Sequence, residues 1–249
     1  LNLAIQGNSG DNILRGNAND NEFRGGRGND LALGGMGDDT YYVEYTEYDG
    51  ELNVEEHLDE GNDTLRQVDG RWIYSHYGLV LPENVENLIL GHSSAYWYNP
   101  VTYLVDPREG YGNGLDNVIT GDGNIENLLD GKGGRDTLIG GSRIDVYRVD
   151  REDDIIIDSY IHDAGANASV RNFYGAENLF TRGDLVESSA VRYTLGERLE
   201  HLHLVGVDAT EGRGNELDNA IVGNENANRI DGGAGNDRLF RSEEHTSEL

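Results

Sequence analysis

The chain has 249 residues, 47 acidic against 19 basic side chains, a formal charge of −28, 35 Gly, three Pro and no Cys. No basic patch exists to meet phosphates, so nucleic acid is a poor partner and a divalent cation the natural counter-charge. Without Cys there is neither a disulfide framework nor a thiolate zinc site, and no apolar run approaches the 18 residues of a membrane span.

In chain order, LNLAIQGN reads as the end of a truncated spacer (1–6), and four nine-residue units follow, starting at Gly7, Gly16, Gly25 and Gly34 (7–42). A spacer (43–111) is rich in Tyr and Trp around Trp72-Ile73-Tyr74 and Tyr96-Trp97-Tyr98. It contains LPENVENLILG (81–91), where the alternation of Val85, Leu88 and Leu90 predicts a strand. The second cassette (112–148) has units starting at Gly112, Gly121, Gly131 and Gly140, with one extra residue near Ile125. The next spacer (149–213) holds Ile155-Ile156-Ile157, read as a buried strand. It also holds LGERLEHLHLVG (195–206), which matches the strand segment of the first spacer. The third cassette (214–240) starts units at Gly214, Gly223 and Gly232. Cassette starts lie 105 and 102 residues apart, so a long period of about a hundred residues overlies the short one. No long segment shows a helical period. The chain opens at Leu1 in mid-pattern, which reads as an internal fragment. RSEEHTSEL (241–249) breaks the repeat, resembles a translated sequencing adapter and is set aside.

Within a unit, positions one to six form a turn in which Gly, Asn and Asp tolerate the required backbone. Positions seven to nine form a short strand. Position eight is Leu14, Phe23, Ala32 and Tyr41, then Ile119, Leu128, Leu138 and Tyr147, then Ile221, Ile230 and Leu239. Always apolar or aromatic, it is the inward face of an all-β solenoid with two units per coil. Coils stack about 4.8 Å apart, so an ion between two stacked turns can bind an oxygen from each at about 2.3–2.6 Å. Position six supplies that oxygen: Asn12, Asn21, Asp30 and Asp39; Asn117, Asn127, Asp136 and Asp145; Asn219, Asn228 and Asp237. Stacking pairs Asn12 with Asp30, Asn21 with Asp39, Asn117 with Asp136, Asn127 with Asp145 and Asn219 with Asp237. Backbone carbonyls near Gly28, Gly37, Gly134 and Gly235 complete an all-oxygen shell. Such a shell suits calcium better than zinc, copper or iron. One carboxylate per pair predicts dissociation constants of about 10⁻⁴ M.

The tandem pattern resembles the repeats-in-toxin (RTX, hemolysin-type) calcium-binding nonapeptide, GGxGxDxUx, over residues 7–42, 112–148 and 214–240. The resemblance implies a parallel β-roll and a secreted, extracellular bacterial protein. It also implies export through a type I system as an unfolded chain and folding on extracellular calcium. The departures are the opening units that begin Gly-Asn and carry Asn at position six, Arg143 in place of the fourth-position Gly, and the extra residue near Ile125. They fall on the sites of Asn12, Asn21, Asn127 and Asp145.

Two plainer readings stand beside this one: a Gly-rich linker without fixed structure, and a solenoid whose Asp residues only cap turns. His201 and His203 occupy the places of Asn87 and Ile89 in the related spacer and read as surface histidines without a third ligand. GKGGRDT (131–137) lacks the ending of a phosphate loop. No catalytic motif is present, which reads as no enzyme. The aromatic clusters offer faces on which a cell-surface sugar can stack, although strand-packing Tyr and Trp are commoner. Two roles remain: a structural or adhesive array, or the calcium-dependent region of a secreted hydrolase or toxin whose catalytic domain lies elsewhere.

Overall fold

The computed structural model describes residues 1–44, 50–68, 78–91, 108–159 and 183–240. Both Tyr/Trp clusters of the first spacer, and residues 241–249, lie outside them. The described residues contain no helix, hence none long and apolar enough to cross a membrane. They form short strands. In chain order these are β1 (Ala4–Gln6), β2 (Ile13–Arg15), β3 (Glu22–Arg24), β4 (Asp30–Leu33), β5 (Thr40–Val43), β6 (Leu52–Glu55), β7 (Thr64–Gln67), β8 (Leu79–Val80), β9 (Asn87–Ile89), β10 (Arg108–Tyr111) and β11 (Val118–Thr120). There follow β12 (Asn127–Asp130), β13 (Thr137–Ile139), β14 (Val146–Val149), β15 (Ile155–Ile157), β16 (Leu185–Ser188), β17 (Arg192–Thr194), β18 (His201–Leu204), β19 (Glu211–Arg213), β20 (Ala220–Val222), β21 (Arg229–Asp231) and β22 (Arg238–Phe240).

All ladders are parallel, and each strand pairs with the one two places along the chain. Odd strands make one face, as the sheets β1 to β15 and β17 to β21. Even strands make the other, as β2 to β6 and β8 to β22. This is a parallel β-solenoid with one strand per half-coil. In the first cassette the register advances by two nonapeptides, as Glu22 opposite Thr40 and Ile13 opposite Leu31. Spacer strands join the same sheets with longer coils: Thr40 faces Thr64, Asn87 faces Val118 and Val146 faces Leu185. The strands keep their places because the added residues enter between strands, where the pleat does not count them.

A three-residue strand has one inward side chain, and the inward positions pack in single file. Phe23, Ala32, Tyr41, Leu88, Ile119, Leu138, Tyr147, Leu202 and Ile221 are fully buried. The rings of Phe23 and Tyr41 stack with centroids 5.0 Å apart. Val85, Leu88 and Leu90 face inward as the alternation predicts.

Three expectations need correction. The inward residue of β12 is Leu129, opposite Tyr147, whereas Leu128 packs in a small outer cluster with Val146 and Leu185. The extra residue near Ile125 lengthens the turn, so the strand phase runs from Asn127 and moves position eight by one. The isoleucine run does form β15, yet only Ile156 packs on the core. Ile155 and Ile157 are half exposed, because alternation turns them outward and β15 ends its sheet. His201 is buried rather than on the surface, on the outer side of β18, where Gly183 comes close to its ring.

Candidate calcium-binding ladders

Position six immediately precedes its strand, or opens it as Asp30 and Asn127 do, so stacking coils stacks these side chains. In five stacked pairs the main-chain N–H of the Asn donates to the carboxylate of the next coil, whereas Asp30 N–H donates to the Glu51 main-chain carbonyl. Asn12 N–H reaches Asp30 Oδ1 at 2.8 Å, Asn21 reaches Asp39 at 2.6 Å and Asn117 reaches Asp136 at 2.8 Å. Asn127 reaches Asp145 at 2.7 Å and Asn219 reaches Asp237 at 3.0 Å. All five expected pairs are therefore brought together. Asn228 is not part of a pair; its amide donates to Ala209 O and Asn224 Oδ1.

The ladders continue through the spacers, on residues that the nonapeptide pattern does not reveal. Asp39 N–H donates to Asp63 Oδ1 (2.8 Å) and Asp63 N–H to Glu86 Oε2 (2.8 Å). Asp136 N–H donates to Asp154 Oδ1 (3.0 Å), Asp145 N–H to Asp184 Oδ1 (2.7 Å) and Asp184 N–H to Glu200 Oε2 (2.8 Å). One edge thus carries Asn21, Asp39, Asp63, Glu86, Asn117, Asp136 and Asp154. The other carries Asn127, Asp145, Asp184, Glu200, Asn219 and Asp237. The available signal was an acidic residue two places before an inward apolar one, as in Asp63-Thr64-Leu65 and Asp184-Leu185-Val186.

The position-one glycines exist because position six folds back on them. A Cβ at any of the eleven, from Gly7 and Asn12 to Gly232 and Asp237, would collide with the side chain of its own position-six residue. The turns come in two kinds. In Gly-Asn units the position-two N–H donates to the position-six amide oxygen, as Asn8 to Asn12 (2.7 Å) and Asn215 to Asn219 (2.8 Å). In Gly-Gly units positions two and four are left-handed, with φ of +90° and +102° at Gly26 and Gly28 and +89° and +110° at Gly35 and Gly37. Only Gly enters this region without strain. Asn turns are thus satisfied internally. In two of the Asp turns a buried carboxylate oxygen is left bare: Oδ2 of Asp39 and Oδ2 of Asp136 have no partner among the described residues. Where Arg143 replaces the fourth-position Gly the left-handed turn is absent, and Gly141 N–H donates to Asp145 Oδ2 (2.7 Å).

Leaving ionised carboxylate oxygens buried and unbonded is costly. Burial, aided by neighbouring carboxylates, lifts the Asp39 carboxyl to about 6 and that of Asp136 to about 7. It lifts Asp63 to about 7 and Asp145 to about 8. A bound cation removes this cost. The carbonyls of Gly28 and Gly37 point toward the next coil, where a Cβ on Gly50 or Gly61 would strike them. Gly134 and Gly235 hold the same left-handed place, with φ of +112° and +115°. Carboxylate, amide and carbonyl oxygens are the only donors on these edges, so the residues fit calcium.

The profile of the RTX calcium-binding nonapeptide repeat matches the chain in four copies, over residues 5–41 and 213–243. No curated protein and no solved structure matches it. The matched segments contain the first and third cassettes, and residues 112–148 repeat their turn geometry without being matched. Residues 5–41 and 213–243 carry RTX calcium-binding nonapeptide repeats, and repeats of that description imply calcium as the ion.

Proposed function

We propose that the chain is a structural, calcium-folded region of a secreted bacterial protein rather than a catalytic one. Ions lie between stacked position-six residues, with Asp30, Asp39, Asp136, Asp145 and Asp237 as the anionic ligands. Asn12, Asn21, Asn117, Asn127 and Asn219 act as their neutral counterparts, Asn228 holds the same turn position without a stacked partner, and turn carbonyls complete the shell. The observation that carries this reading is the pair of position-six ladders, which run from the cassettes into the spacers. Without cations the stacked carboxylates oppose coil formation, so metal binding and folding are one event. Low cytosolic calcium would keep the chain extended for type I export, and millimolar calcium outside would fold it into a stiff extracellular array. The recurrence of cassettes about a hundred residues apart supports an array, structural or adhesive, over the accessory region of a hydrolase or toxin. A far-ultraviolet circular dichroism titration of the chain with calcium, and magnesium as control, tests the reading. A calcium-specific transition from coil to β is expected. β-structure already complete in chelator would reduce the Asp residues to turn-formers.

A further inference from the structure

The joint between the first cassette and its spacer brings together three carboxylates, only one of which belongs to a nonapeptide. Asp39 is the last position-six residue of the cassette, Asp63 the next rung of its ladder, and Glu56 lies in the turn between β6 and β7. One oxygen of each lies within 4.8 Å of the others. Their exposures are 1%, 1% and 5%. Asp39 Oδ2, Asp63 Oδ2 and Glu56 Oε2 are buried with no hydrogen-bond partner among the described residues. The other oxygens of the two Asp residues are engaged, Asp39 Oδ1 by Asn21 N–H and Asp63 Oδ1 by Asp39 N–H. Glu56 accepts the Tyr41 hydroxyl and is bonded by the Gly35 N–H. Each carboxylate is thus fixed through one part and keeps a buried oxygen without a partner, while one oxygen of each lies close to the other two. No Lys, Arg or His is paired with any of the three among the described residues.

We infer that Asp39, Glu56 and Asp63 form a divalent-cation site of their own, tighter than the Asn/Asp pairs of the cassettes, and that its ion is calcium. The inference rests on the calcium reading of the repeats and adds to it a third carboxylate, Glu56, from outside the repeat. Three anionic oxygens in flexible turns give calcium the charge that an Asn/Asp pair lacks, and ligand charge is what tunes calcium affinity. Burial and the two neighbouring carboxylates push the Glu56 carboxyl up to about 8, the direction expected where a cation is the missing partner. The second cassette ends on a related cluster, Asp145, Asp158 and Asp184, with Tyr147 donating to Asp158 at 2.5 Å. There Asp145 Oδ2 already holds the Gly141 N–H, so the first cluster is the better cation site.

The test is a calcium titration of the full chain against a competing chelator indicator, which counts sites by affinity class. We expect a tight site at about 10⁻⁵ M or below above a weaker class near 10⁻⁴ to 10⁻³ M. Glu56→Gln should weaken the tight site about tenfold or more and leave the weaker class in place. Glu44→Gln, at an exposed carboxylate, is the control for net charge. Equal tight-site counts in wild type, Glu56→Gln and Glu44→Gln overturn the inference while the repeat reading stands. No calcium uptake by the wild type overturns both. Should Glu56→Gln fail to fold, tyrosine-sensitised terbium luminescence decides. Tyr41→Phe, beside the site, should lose more signal than Tyr42→Phe, whose ring faces Arg24 on the outside. Equal losses overturn the inference.

Discussion

Gly112 and Gly114 lie two residues apart in one turn, and neither has a positive φ. A Cβ on Gly114 meets nothing within 4 Å. One on Gly112 collides with the Gly131 carbonyl oxygen of the next coil and with Asn117 Oδ1, and stands 3.0 Å from the Gly131 carbonyl carbon. Gly→Ala narrows the unfolded ensemble at either position, a gain of about 0.4–1 kcal/mol where the native backbone accepts Ala. Gly114→Ala should show that gain. Gly112→Ala must push apart two stacked backbones, an overpacking cost of about 1–3 kcal/mol. It also displaces the amide oxygen that accepts the Asn113 N–H at 2.9 Å, a bond of about 0.5–1.5 kcal/mol. The two variants should therefore differ by about 1.5–4.5 kcal/mol, with Gly112→Ala the weaker. Because the unfolded-state effect is shared, urea midpoints in saturating calcium read the native-state difference directly. Equal midpoints would refute the claim that position-one Gly is set by contact with position six and with the coil above.

Other consequences follow from burial and charge. Leu129→Ala should cost about 2–5 kcal/mol in urea unfolding and more than Leu128→Ala. The reverse order would restore the phase in which Leu128 points inward. Ile156→Lys should abolish the calcium-dependent β signal, whereas Ile155→Lys and Ile157→Lys, on half-exposed positions, should keep it; loss in all three would place the whole run in the core. For pH, the raised carboxyls of Asp39 (about 6), Asp63 and Asp136 (about 7), and Glu56 and Asp145 (about 8) mean that the calcium-free folded state binds protons more tightly than the unfolded one. Their contribution is complete below the unfolded values near 4 and is lost as pH rises through about 6 to 8, at about 1.4 kcal/mol per pK unit. In chelator the β signal should therefore be stronger at pH 5 than at pH 8, and calcium should remove the difference. A chelator signal that grows from pH 5 to 8 would contradict the sign.

The sequence was most legible where its period was strict. Position eight and position six could be counted from each Gly, and Phe23, Tyr41, Asn21 and Asp39 lie where the count puts them. Counting failed wherever a turn changed length. A single residue near Ile125 exchanged the roles of Leu128 and Leu129. The spacers add many residues per coil, so Asp63, Glu86, Asp154, Asp184 and Glu200 cannot be reached by counting from any cassette. They are reached only by asking what precedes each inward apolar residue. Glu86 and Glu200 were the closest to visible, because the two related spacer segments place both one residue before the strand. His201 was misplaced for a different reason. Alternation assigns it to the outer side of β18 correctly, but outer does not mean exposed where the chain near Gly183 covers the sheet.

Ladder continuity follows sheet continuity, which explains why length variation is tolerated at all. The run from Asn21 to Asp154 stands at the entry of the odd strands β3 to β15 of one long sheet, and the run from Asn127 to Asp237 at the entry of the even strands β12 to β22 of the other; where each passes from spacer to cassette, the amides of Asn117 and Asn219 donate instead to the main-chain carbonyls of Glu86 and Glu200 (both 3.1 Å). The short sheet β17–β19–β21 is preceded instead by Val191, Thr210 and Asn228, which offer no carboxylate. The longest intervals between described strands, 68–78, 90–107 and 158–184, each follow an odd strand and precede an even one. The connections from even to odd strands between β6 and β15 stay short, and there the ladder passes from Asp39 through Asp63 to Glu86 and meets Asn117 by a different bond, the Asn117 amide donating to the Glu86 main-chain carbonyl at 3.1 Å. A coil can therefore grow between an odd strand and the next even one while the even-to-odd connection keeps the regular spacing that stacked carboxylates and their ions require. The condition is local: the residue entering each strand must offer an oxygen to the N–H below it, whatever length of chain precedes it.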